Sequence, residues 1–152
     1  MATVEQTMMK VQRLLTGPMG LRVELQGDAI IVRFAEVSTQ VRFVVREFGT
    51  DQQGEPLTVV GISAAILFEV TPTPELYEWV GREGGNFYFG HVTVWDDPDG
   101  GGKVMLIMTH SLLGDYLDEE ELRAAMWGVL TIADRLDDQL QPRFGGKRLA
   151  DL

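Results

Sequence analysis

Residues 103–122 read KVMLIMTHSLLGDYLDEEEL, and this stretch decides the fold class because a strand leads directly into a helix. The pattern of Lys103–Ser111 predicts a strand. Asp118, with Glu121 three residues later, predicts a helix that begins near Glu119, and its acidic first turn suits the helix dipole. A long apolar stripe then follows, which Pro142 is expected to end.

A hairpin precedes this helix. Phe87–Trp95 is rich in aromatic and branched residues, and the turn-forming segment Asp96–Gly102 joins it to Lys103–Ser111. We propose a register in which Trp95 pairs with Lys103. Alternation along the fifth strand places Phe87, Phe89 and Trp95 on one face. Both of its faces then carry apolar side chains. Either this strand is buried on both sides or one apolar face is an interface, and the sequence leaves both explanations open.

The first half of the chain predicts a helix, four strands and a second helix. Glycine and proline punctuate these segments, and Thr73 with Pro74 is typical of a helix start. Leu57–Phe68 is an almost continuous apolar run, which favours a central strand. The predicted elements are Val4–Leu15, Leu21–Gln26, Ala29–Phe34, Gln40–Phe48, Leu57–Phe68 and Pro74–Glu83.

The order α-β-β-β-β-α-β-β-α predicts an α+β fold, an antiparallel sheet flanked by helices. Its 152 residues fit a single domain, which we place at 1–142. The segment 143–152 is basic and contains glycine, so we expect a flexible C-terminal tail. Helices are expected to cover one face of the sheet, and the other face should be polar if the protein is a monomer.

Composition limits the partners. The formal charge of −10 disfavours nucleic acid and anionic membranes, since both require a positive surface. The sequence contains neither an apolar run long enough to span a membrane nor an N-terminal signal peptide pattern. The absence of cysteine is compatible with a reducing compartment. We therefore expect a cytoplasmic protein.

Possible catalytic and metal-binding motifs are weak. Gly100–Lys103 lacks the spacing of a phosphate loop and joins two strands. The aspartates of Asp96–Gly102 lack the alternation of a calcium loop. In the register proposed above, His91 and His110 are three residues apart along the strands, about 10 Å at ~3.3 Å per residue, too far to share a metal ion. We expect no enzyme activity, no cofactor and no metal.

The acidic residues have a structural interpretation first. The simplest interpretation of Asp115 and residues 118–121 is that they form the start of a helix. The alternative is that they form a docking site for a basic segment. Asp134, Asp137 and Asp138 should lie on the solvated side of the last helix.

The order of elements resembles the type III secretion chaperone-like superfamily, which includes the YbjN-like proteins. The resemblance is carried by the Thr-Pro helix start, by Gly85–Val92 (GNFYFGHV), by Thr109–Gly114 (THSLLG) and by Leu117–Leu122 (LDEEEL). It covers nearly the whole chain, although this sequence has one additional early strand.

The resemblance implies a small, acidic, non-catalytic protein that forms a homodimer and binds segments of other proteins along apolar grooves. A small-molecule-binding regulatory domain, with a pocket near His91, is the alternative. From the apolar surface of the second half we select interface residues for a dimer or a bound peptide. They are Leu76, Trp79, Val80, Phe87 and Phe89.

Overall fold

The computed structural model describes residues 3–37 and 39–152. It confirms the α+β class and the predicted order of the elements. A short 3-10 helix, Leu149–Asp151, follows the last α-helix. The elements are α1 (Val4–Thr16), β1 (Val23–Gln26), β2 (Ala29–Arg33), β3 (Gln40–Thr50), β4 (Pro56–Val70), α2 (Pro74–Glu83), β5 (His91–Asp96), β6 (Val104–Leu113) and α3 (Glu119–Phe144).

The six strands form one antiparallel sheet in the order β1-β2-β3-β4-β6-β5. The apolar run of the sequence becomes β4, which has 15 residues and pairs with β3 on one side and β6 on the other. This strand is therefore central, as its composition predicts. β1 and β5 are the edges.

The predicted helix caps are present. The Thr3 hydroxyl accepts a hydrogen bond from the Gln6 N–H at 3.1 Å, and the Gln6 side chain accepts one from the Thr3 N–H at 3.0 Å. Asp118 accepts a hydrogen bond from the Glu121 N–H at 2.8 Å at the start of α3. These contacts satisfy N–H groups that a helix start otherwise leaves without a partner.

The core lies between the sheet and the helices on one of its faces. α3 packs across β4 and β6, and α1 packs against β3. Phe43, Ile62 and Met108 from the strands are fully buried there, as is Met126 from α3. The alternate residues of the same strands form the opposite face. We call it the open face because no described α-helix packs across it, although Leu149 of the 3-10 helix reaches its edge.

The fifth strand begins later than its composition predicts. β5 starts at His91, so 87–89 belong to the connection from α2 and do not form a strand face. Gly90 explains the start: its φ is +94°, and a Cβ at this position would lie 2.4 Å from the Thr109 carbonyl oxygen. The backbone crosses β6 too closely for a side chain and bends before pairing begins.

The predicted register of this hairpin is also wrong by two residues. Trp95 pairs with Met105, not Lys103. Hydrogen bonds from the Asp97 N–H to the Lys103 carbonyl, at 3.0 Å, and from the Lys103 N–H to the Gly100 carbonyl, at 3.1 Å, close a turn inside the glycine-rich segment. Lys103 therefore belongs to the turn, and β6 starts after it.

Two expectations for α3 are corrected. The helix continues past Pro142 to Phe144 and ends where Gly145 takes a φ of 74°. Asp137 is 2% exposed, not solvated, because it lies three residues before buried Leu140 on the core side of the helix. Asp138 is exposed, as expected.

The tail has defined contacts in the structure. Lys147 and Phe68 exchange two backbone hydrogen bonds of 2.7 and 2.8 Å, and Lys147 forms an ion pair with Glu69. Arg148 forms ion pairs with Asp138 at 2.7 Å and Asp151 at 3.1 Å. The segment predicted to be a flexible tail therefore lies against the end of β4 and against α3.

Candidate peptide-binding surface

A groove lies between α2 and α3 on the helical side of the molecule, with a volume of about 640 Å³. Trp79 and Phe87 provide its aromatic wall, and Leu136 lies on the α3 side. The Trp79 ring also contacts Phe144 edge-on, with 6.2 Å between the ring centroids. The rest of the lining is polar, with Asn86 and Gln139 beside charged side chains of both signs: Glu75, Glu78, Arg82, Glu83, Arg135 and Arg143.

The structure places the five predicted interface residues at different depths. Leu76 is fully buried in the core and does not reach the surface, because it is the inward-facing residue of α2. Trp79, Val80 and Phe87 are half-buried and pack against the core. Phe89 is 37% exposed. The groove brings Trp79 and Phe87 together, whereas Phe89 lies apart from them.

Phe89 belongs to a second, aromatic patch, which we define as Tyr88, Phe89 and Tyr116. Tyr88 is 100% exposed and Tyr116 is 70% exposed. Phe89 and Tyr116 line a depression of about 420 Å³ beside the C-terminal end of β6. The Phe89 ring lies directly over Gly128 of α3, where a Cβ would be 2.6 Å from its Cγ.

The two histidines are closer than the predicted register allowed. His91 pairs with Thr109, the neighbour of His110, and its Nε2 lies 3.4 Å from the Thr109 hydroxyl. Burial lowers the pKa of His110, and the positive charge of His91 lowers it further. His110 also contacts the Phe89 ring edge-on, at 5.8 Å between centroids. The described residues contain no cluster of three or more His, Cys, Asp or Glu arranged to hold a metal ion.

The acidic segment before α3 has structural contacts. One oxygen of Asp115 accepts hydrogen bonds from the Thr58 N–H at 3.0 Å and from the Thr58 hydroxyl at 2.8 Å. The Thr58 and Thr7 hydroxyls lie 2.8 Å apart. This cluster links α1, β4 and the start of α3, and Asp118 caps α3. The structural interpretation of these two aspartates therefore fits their contacts.

The open face is the surface that sequence reasoning missed. Two depressions of about 290 and 480 Å³ lie on it, and Trp95, Arg42 and Ser63 line both. The alternation of apolar and basic residues in β3 is visible in the sequence, but it does not show which face the helices leave uncovered. The open-face residues of the four strands from β3 to β5 are Gln40, Arg42, Val44, Arg46, Val59, Gly61, Ser63, Ala65, Met105, Ile107, Thr109, Ser111, Leu113, His91, Thr93 and Trp95.

Comparison with known proteins now adds the family. The model of the family described as "T3SS (YopN, CesT) and YbjN peptide-binding chaperone 1" matches residues 52–152. The chain belongs to this family of peptide-binding chaperones. The match begins just before β4 and includes α2, the groove, the aromatic patch and α3.

A solved structure supports the same fold. The chain is similar to a chain of the crystal structure of the ExsC-ExsE complex, with a TM-score of 0.59 and 19% identity over 92% of this chain and 97% of that one. No curated protein matches significantly. Among the described residues, no helix has the length and apolar character needed to cross a bilayer.

Proposed function

We propose that this family member is a non-catalytic chaperone module of the cytoplasm, which binds a segment of a client protein and acts as a homodimer. The family is one of peptide-binding chaperones, and the similar solved structure is a complex of two named proteins. The observation that carries the proposal is the groove between α2 and α3, in which Trp79 and Phe87 remain half-exposed.

The surface around the groove favours a polypeptide ligand. Large aromatic side chains in solvent mark interaction sites when they cluster, and the aromatic patch continues from the groove along the α2–β5 connection. The groove and the depression beside Phe89 and Tyr116 are both open to solvent. A small-molecule-binding regulatory domain would favour a more enclosed pocket.

The border formed by α2 and β5 supports the homodimer proposal. β5 is an edge strand, and an edge offers unpaired backbone groups to a second chain. The adjacent α2 has Leu76 as its buried residue and presents Tyr77, 50% exposed, to solvent. A second copy could cover both elements at once.

Selection of peptides tests client binding. The chain is immobilised and offered a random peptide library, and selected peptides are measured by fluorescence anisotropy. Phe87→Ser should weaken the binding of these peptides about tenfold, which is the usual effect of losing one apolar anchor. Gln52→Ser, in the exposed β3–β4 turn, is the matched control. Equal affinities for both variants would remove the groove as the binding site.

Analytical ultracentrifugation tests the homodimer separately. A concentration-dependent increase to twice the chain mass is expected. A strict monomer at high concentration contradicts the homodimer and leaves client binding untouched.

A further inference from the structure

The open face carries a charge opposite to that of the molecule. The whole chain has 23 acidic and 13 basic residues. On the open face of β3, β4, β6 and β5, however, the charged side chains are Arg42 and Arg46, and the other titratable one is His91. Asp96 lies at the rim of the larger depression. On β1 and β2 the same face adds Glu24 and Arg33, which pair with each other, so the surface remains basic on an acidic protein.

Among the described residues, neither of these two arginines has an acidic partner within ion-pair distance. Both are exposed, and neither forms an ion pair with any residue in 3–37 or 39–152. Arg33 on the neighbouring strand differs, since it is paired with Glu24. A guanidinium without a carboxylate partner beside apolar surface is a ready site for an acidic group.

The centre of the same face is apolar. Trp95 is 50% exposed and lies between the two depressions that it lines. Met105 from β6 extends the surface, Ile107 beside it is almost fully buried, and Val44 lies between Arg42 and Arg46 on β3. An aromatic anchor flanked by arginines is the composition that protein interfaces favour.

We infer that the open face binds an acidic amphipathic helix of another protein, an inference that rests on the proposed function in taking the ligand to be a polypeptide. A helix fits because it satisfies its own backbone hydrogen bonds, whereas an extended segment laid flat on side chains leaves them unpaired. The apolar stripe of the helix would cover Trp95 and Met105.

The spacing of the arginines sets the pattern of the helix. Arg42 and Arg46 are four residues apart on one strand, about 13 Å at ~3.3 Å per residue. Two turns of helix, about 11 Å, place two acidic side chains on one side of a helix at a similar separation. The long arginine side chains can adjust to the small difference between these two separations. The ligand therefore carries acidic residues seven positions apart beside its apolar stripe.

A second copy packed face to face does not fit. Such a dimer is isologous, so the same patch meets itself. Arg42 and Arg46 of one copy would then approach the same arginines of the other. Of the nearby acids, Asp96 lies at the rim and Glu24 is already paired with Arg33. Like charges placed together in an interface disfavour that complex.

Designed peptides test the inference on the full chain. One fluorescent peptide of about five turns carries a leucine stripe and two glutamates seven residues apart, and its twin carries lysines instead. The glutamate peptide should bind at least about tenfold more tightly than the lysine peptide, and added salt should weaken it.

Charge reversal locates the site. The double variant Arg42→Glu with Arg46→Glu should bind the glutamate peptide at least about tenfold more weakly and should bind the lysine peptide more tightly. Arg13→Glu with Arg123→Glu changes the net charge equally on α1 and α3, which pack on the opposite side of the sheet, and should alter the affinity less than about twofold. Circular dichroism checks that both variants are folded.

NMR shift mapping distinguishes this inference from the proposed function. Perturbations at Thr93, Trp95, Ile107 and Thr109 support the open face. Perturbations confined to the α2–α3 groove overturn this inference while leaving client binding intact, and so does equal weakening by the two double variants. If the variant with Arg42→Glu and Arg46→Glu sediments with a different mass from the original chain, the face binds a second copy. That result overturns the inference as well.

Discussion

Asp115 is the residue on which three elements depend. Its carboxylate accepts two hydrogen bonds from Thr58 of β4, and the Thr58 hydroxyl meets Thr7 of α1. Thr58 and Thr7 are fully buried, so loss of the acceptor leaves buried polar groups without their partner.

Asp115→Ala should therefore reduce the free energy of unfolding by about 1–3 kcal/mol, the usual cost of buried unsatisfied donors. Urea denaturation followed by circular dichroism measures the change. Glu120→Ala, an exposed residue in the first turn of α3, is the control and should change the stability by less than about 0.5 kcal/mol. Equal effects would mean that the hydrogen bonds do not hold the cluster together.

His110 makes stability depend on pH. Its pKa in the folded protein lies below the ordinary 6.5 because burial and His91 both disfavour the charged form. The unfolded chain then binds more protons near and below pH 6.5, so stability falls as the pH falls through the unfolded pKa.

His110→Gln should flatten this part of the profile between about pH 7.5 and 5. Urea titrations at several pH values give the profile, and an NMR titration of the imidazole gives its pKa directly. His91→Gln should raise the pKa of His110 while leaving it below its ordinary value, since burial is the larger cause. A pKa of His110 at or above 6.5 in the native protein contradicts the assignment.

At the scale of elements, the contact between the α2–β5 connection and α3 depends on a glycine. Glycine inside a helix normally costs about 0.5–1 kcal/mol relative to alanine. Gly81 in α2 has nothing in the described structure within 4 Å of a Cβ position, whereas a Cβ at Gly128 would lie 2.6 Å from the Phe89 ring. Gly81→Ala should therefore raise the free energy of unfolding. Gly128→Ala should not raise it, because the added methyl group displaces the Phe89 ring.

A double-mutant cycle separates helix propensity from the ring contact. Gly128→Ala in the Phe89→Ala background should recover a gain similar to that of Gly81→Ala, measured by thermal and urea unfolding. Equal effects of Gly128→Ala in both backgrounds would show that Phe89 does not rest on the helix in solution.

Sequence patterns predicted most elements because their signals are local. Thr3, Thr73 and Asp118 cap their helices through contacts three residues away, and the almost continuous apolar run of β4 indicates a central strand. The start of β5 was not predictable in this way. It depends on how closely Gly90 crosses β6, a contact between residues 19 positions apart in the chain.

The binding surfaces were less predictable for a related reason. Leu76 and Trp79 belong to the same apolar face of α2, yet Leu76 is buried whereas Trp79 lines the groove, a difference that depends on tertiary packing. The alternation of β3 separates Arg42 and Arg46 from Phe43. It does not show that the helices all pack on the side of Phe43, which is a property of the whole sheet.

At the scale of the whole molecule, net charge gives the two proposed associations opposite salt dependences. Each copy carries a formal charge of −10, so two copies repel one another over distances comparable to the Debye length, about 10 Å at 0.1 M salt. Added salt should therefore strengthen homodimerisation until screening is complete. Binding of an acidic helix to Arg42 and Arg46 should weaken over the same range, because salt screens an attraction there.

Sedimentation of the chain alone and anisotropy of the glutamate peptide, both from 0.05 to 0.5 M sodium chloride, measure the two trends side by side. Dimerisation that weakens with salt would show that complementary charges, and not the apolar border of α2 and β5, hold the copies together.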